Sequence, residues 1–283
     1  MKLVTWNIQW GRGADGRVDL DRIVAHAQRF ADFDVLCLQE VSAGFSELPG
    51  NDDSDQFEGI AQRLPGYQAI DGIAVDLPHP ERGRKRFGNM ILSRLPVGPV
   101  YRHLLTWPAD PTTKTMQRIA LEASIETSAG AVRVITTHLE YYSAKQRRAQ
   151  VEQLRALQQD AVSHADHPGV GKPADGPFFH PERGKPAILA GDFNCRPDSD
   201  EHARLLMPFD DATPAFHDAW QVLRPGQLHP ATVGLYDKAQ WPDSPFTCDF
   251  IFVSEDLTAR SRDIRIDQET DASDHQPVML CLD

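Results

Sequence analysis

The 283-residue chain has no run approaching the roughly 20 apolar residues of a membrane span, so no integral membrane association is expected. Cysteine is scarce: Cys37, Cys195, Cys248 and Cys281, no two of them in a CxxC pair. That argues against a Cys-ligated zinc site. Three of the four lie in or beside apolar runs, where a free thiol behaves as a small hydrophobe, and the expectation is reduced core thiols in a cytoplasmic protein. No secretory leader is expected, since Met1-Lys2 runs straight into Leu3-Val4-Thr5-Trp6-Asn7, which reads as a strand. Positive charge is in deficit: 29 Lys and Arg face 41 Asp and Glu, a net −12. A protein that coats nucleic acid needs the opposite field, although an enzyme with a local basic groove remains compatible. There is no HExxH motif.

What is present is an ordinary globular composition, 41% hydrophobic and 25% charged, with no linker that would split it. One domain over 1–283 is expected. Short apolar runs separated by turn signals predict strands near 2–8, 34–39, 67–73, 88–94, 98–105, 117–126, 131–138, 187–191, 248–254, 260–266 and 277–282. Continuous runs such as Val35-Leu36-Cys37-Leu38 and Ala187-Ile188-Leu189-Ala190 suggest strands covered on both faces. Helical stripes are fewer. One runs from Val18 to Phe30, one spans about 144–164 behind a Ser143/Gln146 capping box, and weaker ones span 56–63 and 199–206. Strand-rich chains with helices outside predict two packed sheets with a helical layer on each outer face. The Pro/Gly-rich stretches 167–186 and 225–246 read as excursions from the same body. The pentapeptide His79-Pro80-Glu81-Arg82-Gly83 recurs at 180–184 with unrelated flanks and reads as two exposed loops of like composition.

The informative residues are the polar ones that end or interrupt apolar strands. Asn7, Glu40, His138, Asp192 with Asn194, Asp249, and Asp274-His275 all occupy such places. An Asp or Asn there is ordinarily a turn residue. Glu40 is not a turn former, and six sites of one chemical type ask for a common cause. Two carboxylates ~4 Å apart repel by about 4 kcal/mol at an effective dielectric near 20, so a cluster needs a cation or a shared proton. Oxygen donors with an Asn suit Mg²⁺ or Mn²⁺ rather than zinc.

Thr5-Trp6-Asn7, Leu38-Gln39-Glu40, Thr137-His138-Leu139, Gly191-Asp192-Phe193-Asn194, Asp249-Phe250-Ile251 and Ser273-Asp274-His275 stand in the order of the motifs of the endonuclease/exonuclease/phosphatase superfamily, which the chain resembles from residue 5 to residue 275. The resemblance implies an α/β fold, a four-layer αββα sandwich of two mixed β-sheets flanked by helices. It also implies Glu40 as the principal metal ligand, assisted by Asn7 and Asp274, with Mg²⁺ (or Mn²⁺) as cofactor. Asp192 would orient or deprotonate the attacking water and Asn194 would hold a phosphate oxygen. His275 would contact the phosphate with Asp249 behind it, and His138 would contact phosphate or assist the leaving group. Two departures stand out. Thr247-Cys248 replaces the Arg-aliphatic pair that precedes the Asp249 motif in many relatives, and no Glu that would support His138 is identifiable.

Four further residues are weaker substrate-binding candidates. Lys145 and Arg147, at the start of the helix after His138, are either solvated or facing an anionic substrate. Arg118 reads as a strand-edge surface residue, with a substrate contact as the alternative, and Asn89 as either a turn residue or an active-site amide. The basic run Arg82, Arg84, Lys85, Arg86 reads as a mobile solvated loop with phosphate steering as the minority reading. Loop aromatics including Tyr141, Tyr142, Trp107, Phe178, Phe179 and Trp241 read mainly as pins for their loops. His79, His103, His180, His217 and His229 read as surface residues. The expected function is a divalent-metal-dependent phosphoester hydrolase, most simply a phosphodiesterase. Its substrate would be a small or lipid phosphate ester, with a DNA or RNA endo- or exonuclease as the alternative. A non-catalytic binding module on the same scaffold is a third reading, and no obligate protein partner is inferred.

Overall fold

The computed structural model describes residues 1–81, 83–181 and 183–283. Arg82 of the basic run therefore lies outside the described residues, as does Glu182 of the second pentapeptide. In chain order the elements are β1 (Lys2–Asn7), α1 (Leu20–Phe30), β2 (Val35–Ala43), α2 (Gln56–Arg63), β3 (Gln68–His79), β4 (Gly83–Ser93), β5 (Val97–Leu104), β6 (Ile119–Thr127), β7 (Gly130–His138), α3 (Ala144–Asp166), β8 (Ala187–Asp192), α4 (Asp200–Leu206), β9 (Phe216–Asp218), α5 (Ala219–Leu223), β10 (Asp249–Ser254), α6 (Glu255–Thr258), β11 (Ser261–Ile266) and β12 (Val278–Leu282). The four longest-range helix signals are anchored by side-chain caps. Asp19, Asp55, Ser143 and Ser199 each accept from a backbone N–H three residues on. Such a cap contributes about 1 kcal/mol.

The strands form two six-stranded sheets, ordered β11-β12-β1-β2-β4-β3 and β5-β6-β7-β8-β10-β9. Both are mixed: β1 and β2 run parallel, as do β7 and β8, among otherwise antiparallel neighbours. The continuous apolar runs are explained by three separate cores. Leu3, Val35, Cys37 and Ile91 point inward against Val134, Ile188, Ala190 and Ile251 of the opposite sheet. Their chain neighbours Val4, Leu36 and Leu38 point outward, under Ile23, Val24 and Ala27 of α1 and Phe57 and Ile60 of α2. On the far side Ile135, Leu189, Phe250 and Phe252 are covered by Val151 and Leu154 of α3 and Leu205 of α4. The result is the expected order of helix, sheet, sheet, helix.

The structure departs from the sequence reading in places. β9, α5 and α6 were not expected, being three to five residues long and too short for periodicity to register. β2 does not stop at Gln39 but continues through Glu40 to Ala43. The basic run is not a mobile loop: Arg84, Lys85 and Arg86 lie in β4 and pair with Asp76, Glu47 and Asp55. His229 is not a surface residue. Asp218 Oδ2 accepts from its Nε2 at 2.8 Å and from that of buried His202 at 2.9 Å. No helix among the described residues is long and apolar enough to cross a membrane.

Candidate active site

Each parallel strand pair ends at the same rim, where strands shed their backbone pairing and leave side chains facing a crevice. β1 delivers Asn7 beside Gln39, and β7 delivers His138 directly opposite Asp192 of β8. β10 runs antiparallel to β8 and sets Asp249 against Asp192 from the other side. The loop before β12 supplies Asp274 and His275. It is tied to β1 twice: Ser273 Oγ donates to the Asn7 carbonyl at 2.8 Å, and Trp6 Nε1 donates to the His275 carbonyl at 2.9 Å.

The side chains converge. Asn7 Nδ2 donates to Glu40 Oε1 and to Asp192 Oδ2, both at 3.1 Å. His138 Nε2 lies 3.4 Å from Asp192 Oδ2 and 3.8 Å from Glu40 Oε1. His275 Nε2 is 3.8 Å from Asp192 Oδ2, while Asp249 Oδ2 accepts from His275 Nδ1 at 2.9 Å. All these groups face or directly back a cleft of about 840 Å³. Positive backbone φ is concentrated here as well. The four non-glycine residues with this conformation among the described ones are Gln9, Trp10, Glu40 and Asn194, and all four line the cleft. Each costs on the order of 1–2 kcal/mol, and such strain persists only where the surroundings impose it. For Glu40, at φ 61°, the cause is a register shift between Leu38 and Val41 that swings its carboxylate out of the strand's alternation.

The electrostatics divide the two histidines. Burial and the neighbouring Arg118 cation push His138 well below the usual histidine range, so its ring is neutral. Burial acts the same way on His275, but Asp249, Asp274 and Asp192 outweigh it and hold the ring well above that range. Burial, reinforced by Asp274, lifts Glu40 to about 7. Asp192 is lifted to about 6 by burial, against the pull of His275. Two environments that separate like groups in this way assign them different proton duties.

The donor set fits a hard divalent cation. Glu40, Asp192 and Asp274 line the cleft with carboxylates, and the Asn7 N–H₂ is bonded to Glu40 through Oε1. The crowding that raises Glu40 is relieved by positive charge. Asn7 Oδ1 accepts from the Gln9 backbone N–H at 3.0 Å, and its N–H₂ faces the carboxylates and bridges them. Asp192, Cys248 and His275 also bring ligand atoms within 4.8 Å of one another. Burial holds the Cys248 thiol protonated, and its Sγ lies 3.5 Å from Asp249 Oδ2 as a donor.

The weaker candidates separate cleanly. Arg118 is not a surface residue; it is buried, lines the cleft, pairs through Nε with Glu140 at 3.2 Å, and leaves Nη1 with no acceptor among the described residues. Asn194 lines the cleft with Nδ2 on the Leu139 carbonyl. Asn89 lies within β4, neither turn nor cleft residue, and ties the two sheets through the Ile119 carbonyl. Lys145 donates to the Ala109 carbonyl, and Arg147 to those of Glu140 and Tyr141; neither lines the cleft. Among the described residues no carboxylate is hydrogen-bonded to His138 from behind: Glu140, two residues on, turns away to Arg118 and the Tyr142 N–H. Lys114, Arg196 and Gln9 line the cleft and went unnoticed in the sequence. Arg196 carried a usable signal, lying two residues beyond Asn194; its guanidinium stacks on Phe246 at 4.3 Å.

The sequence profile of the endonuclease/exonuclease/phosphatase family matches residues 4–167 and 163–275. No curated protein matches the chain. Among solved structures it is similar to an endonuclease/exonuclease/phosphatase from Beutenbergia cavernae DSM 12333, at 24% identity and TM-score 0.66 over 99% of this chain and 70% of that one. A mannosyl-6-phosphatase from Bacteroides thetaiotaomicron VPI-5482 matches at 17% identity and TM-score 0.67, over 100% and 99% of the two chains. A 3'-5' exonuclease from Neisseria meningitidis matches at 20% identity and TM-score 0.60, over the full length of both. At these identities the likeness is one of fold. The profile match spans nearly the whole sequence, and the chain belongs to the endonuclease/exonuclease/phosphatase family, whose members hydrolyse phosphoric esters.

Proposed function

We propose that this protein is a divalent-cation-dependent phosphoester hydrolase, most simply a phosphodiesterase, acting on a small or lipid phosphate ester. The observation that carries the reading is the meeting of Glu40, Asp192, His138 and His275 within 3.4–3.8 Å contacts at one cleft. Glu40 and Asp274 would hold the cation, with Asn7 setting the spacing between Glu40 and Asp192. When bound, Mg²⁺ or Mn²⁺ supplies neutralisation of the phosphoryl charge and polarises the ester. Asp192, lifted toward neutrality, accepts the proton of the attacking water. His275 presents a positive ring, steadied by Asp249, to a phosphoryl oxygen. Arg118 and Asn194 line the same cleft and add a cation and an amide to its wall, and neutral His138 faces Asp192 from the opposite side.

Aromatic and apolar residues make up much of the remaining cleft wall, among them Trp10, Phe87, Met116, Tyr141, Trp241 and Phe246. Together with the net charge of −12, this supports a compact substrate with a ring or apolar portion over a long polyanion. The nuclease reading draws support from Lys114 and Arg196 on the same wall. Four free cysteines are compatible with a reducing, cytoplasmic setting. A panel of aryl phosphodiesters, phosphoinositides, nucleotides, DNA and RNA, assayed with Mg²⁺ and Mn²⁺, tests the reading, with Glu40→Gln and Asp192→Asn as controls. Turnover equal in parent and both variants would remove it. Preference for DNA or RNA, with activity falling steeply with salt, would select the nuclease.

A further inference from the structure

Asp274 is held in an unusual way. Its Oδ2 accepts three neutral N–H groups at once: Trp241 Nε1 at 2.9 Å, Gln240 Nε2 at 3.0 Å and Gln9 Nε2 at 3.1 Å. Two of these come from the Pro/Gly-rich stretch 225–246, which reads in the sequence as an excursion from the same body. The third comes from the left-handed turn after β1, whose backbone N–H already orients Asn7.

The excursion is itself fastened to that turn. Gln9 Nε2 donates to Gln240 Oε1 at 2.7 Å, and Arg12 Nη1 reaches Gln9 Oε1 at 3.1 Å and buried Asp237 at 3.3 Å. The Asp237 carboxylate in turn accepts from the Gln240 backbone N–H at 3.0 Å. Trp241 continues across the cleft, edge-on to His275 at 6.5 Å, to Tyr141 at 6.0 Å and to Phe246 at 5.7 Å between ring centroids. A loop that only needed pinning would not aim its indole N–H at a carboxylate of the site. Three donors on one oxygen fix the rotamer of Asp274 and direct its other oxygen elsewhere. Among the described residues Oδ1 meets only Ser273 Oγ, at 3.3 Å.

We propose that Trp241, seconded by Gln240, is a positioning residue that holds Asp274 in the orientation that receives the divalent cation, so that loop 237–241 and the cation site are organised as one unit. The inference rests on the metal-dependent reading above. Partners that orient a ligand carboxylate matter because a misdirected oxygen must be reoriented at the moment of binding; losing one typically weakens metal affinity about 10–100-fold. With two donors left on Oδ2, the low end of that range is expected here.

The test is a Mn²⁺ titration followed by electron paramagnetic resonance on the full chain, comparing the parent, Trp241→Phe, Gln240→Met and Glu40→Gln. Trp241→Phe keeps an aromatic ring against Tyr141 and Phe246 and deletes only the N–H. The expected result is a Mn²⁺ dissociation constant raised about ten-fold, with the melting temperature of the metal-free protein close to that of the parent. Should Trp241→Phe not fold, Gln240→Met removes a different donor to the same oxygen and is read in the same way. Parent and both loop variants binding Mn²⁺ equally, with Glu40→Gln impaired, would overturn the inference and leave the proposed function standing. A parent that binds no Mn²⁺ would overturn both.

Discussion

Each sheet carries one parallel strand pair, and the two pairs bring their residues to the cleft by different means. In β7–β8 the delivery is by register. His138 stands directly opposite Asp192, and ordinary extended backbone brings both side chains to one face. The strands approach so closely that a Cβ on Gly191, at φ 141°, would lie 1.9 Å from the Thr137 carbonyl oxygen. In β1–β2 the register pairs Asn7 with Gln39, and Gln39 is taken up by Thr5 and Thr136 between the sheets. Glu40 comes from one position further on, which alternation would point the wrong way. A bulge and a left-handed residue turn it back. The second sheet thus offers His138 and Asp192 in register, with the positive φ beside them falling on Gly191. The first offers an oxygen donor on strained backbone, and the Asn7 amide joins the two.

This division makes unequal demands on mutation. The largest effect is expected at the paired carboxylates: Asp192→Asn and Glu40→Gln should each lower kcat/KM by about 10³-fold or more. Raising Mg²⁺ should recover activity for Glu40→Gln and not for Asp192→Asn. Identical metal response in the two variants would erase the functional distinction between the strand pairs. Next come the histidines. His275→Gln and His138→Gln should each cost about 10²-fold in kcat, the first through lost charge and the second through lost hydrogen bonding. Nitrogen NMR of the two rings near pH 7, on the metal-free protein, should show His275 doubly protonated and His138 neutral; the reverse pattern would invert their roles.

Gly191→Ala tests the close approach. With backbone on the receiving side of the clash, it should destabilise the fold by about 3 kcal/mol, read by chemical denaturation. A neutral result would mean that β7 and β8 can move apart without consequence. The smallest effect lies at the edge of the second sheet, where Asp218 serves His202 and His229 away from the cleft. Those partners hold Asp218 down at about 2, against the opposing effect of burial, below its ordinary 3.8. A carboxylate depressed in the folded state contributes stability fully above its unfolded value, and that stability is lost as pH falls from 3.8 through 2. Asp218→Asn should therefore cost about 2 kcal/mol at pH 6 and progressively less toward pH 2. An unchanged difference across that range would show that the pairing carries no linked charge.

Much of this was legible in the sequence because strand alternation is a local property. Leu3 and Val4, or Leu36 and Cys37, reveal burial on two faces from a few residues. The polar interruptions Glu40, His138, Asp192, Asp249 and Asp274 were visible against those runs for the same reason. The failures have a different origin. Lys145 and Arg147 read along the chain as solvated or facing a substrate, but the Ala109 carbonyl of a distant turn claims the first and the nearby Glu140 and Tyr141 carbonyls claim the second. Asn89 was visible as a polar residue beside a strand, yet which sheet it would bond to was not. Arg118 read as surface, and only the packing of Glu140 beside it shows why a buried guanidinium is tolerated there.

The sequence by itself determined the two layers of strands, the helices that cover them and the strand ends that are polar, because these follow from side-chain period and turn chemistry within about ten residues. The tertiary structure alone decided that Glu40 would turn against its strand's alternation, that burial would push His138 down while carboxylates push His275 up, and that Trp241 would reach Asp274. Each of these depends on groups far apart in the chain arriving within hydrogen-bonding or Coulombic range, where burial magnifies their interaction, and no local pattern encodes that distance.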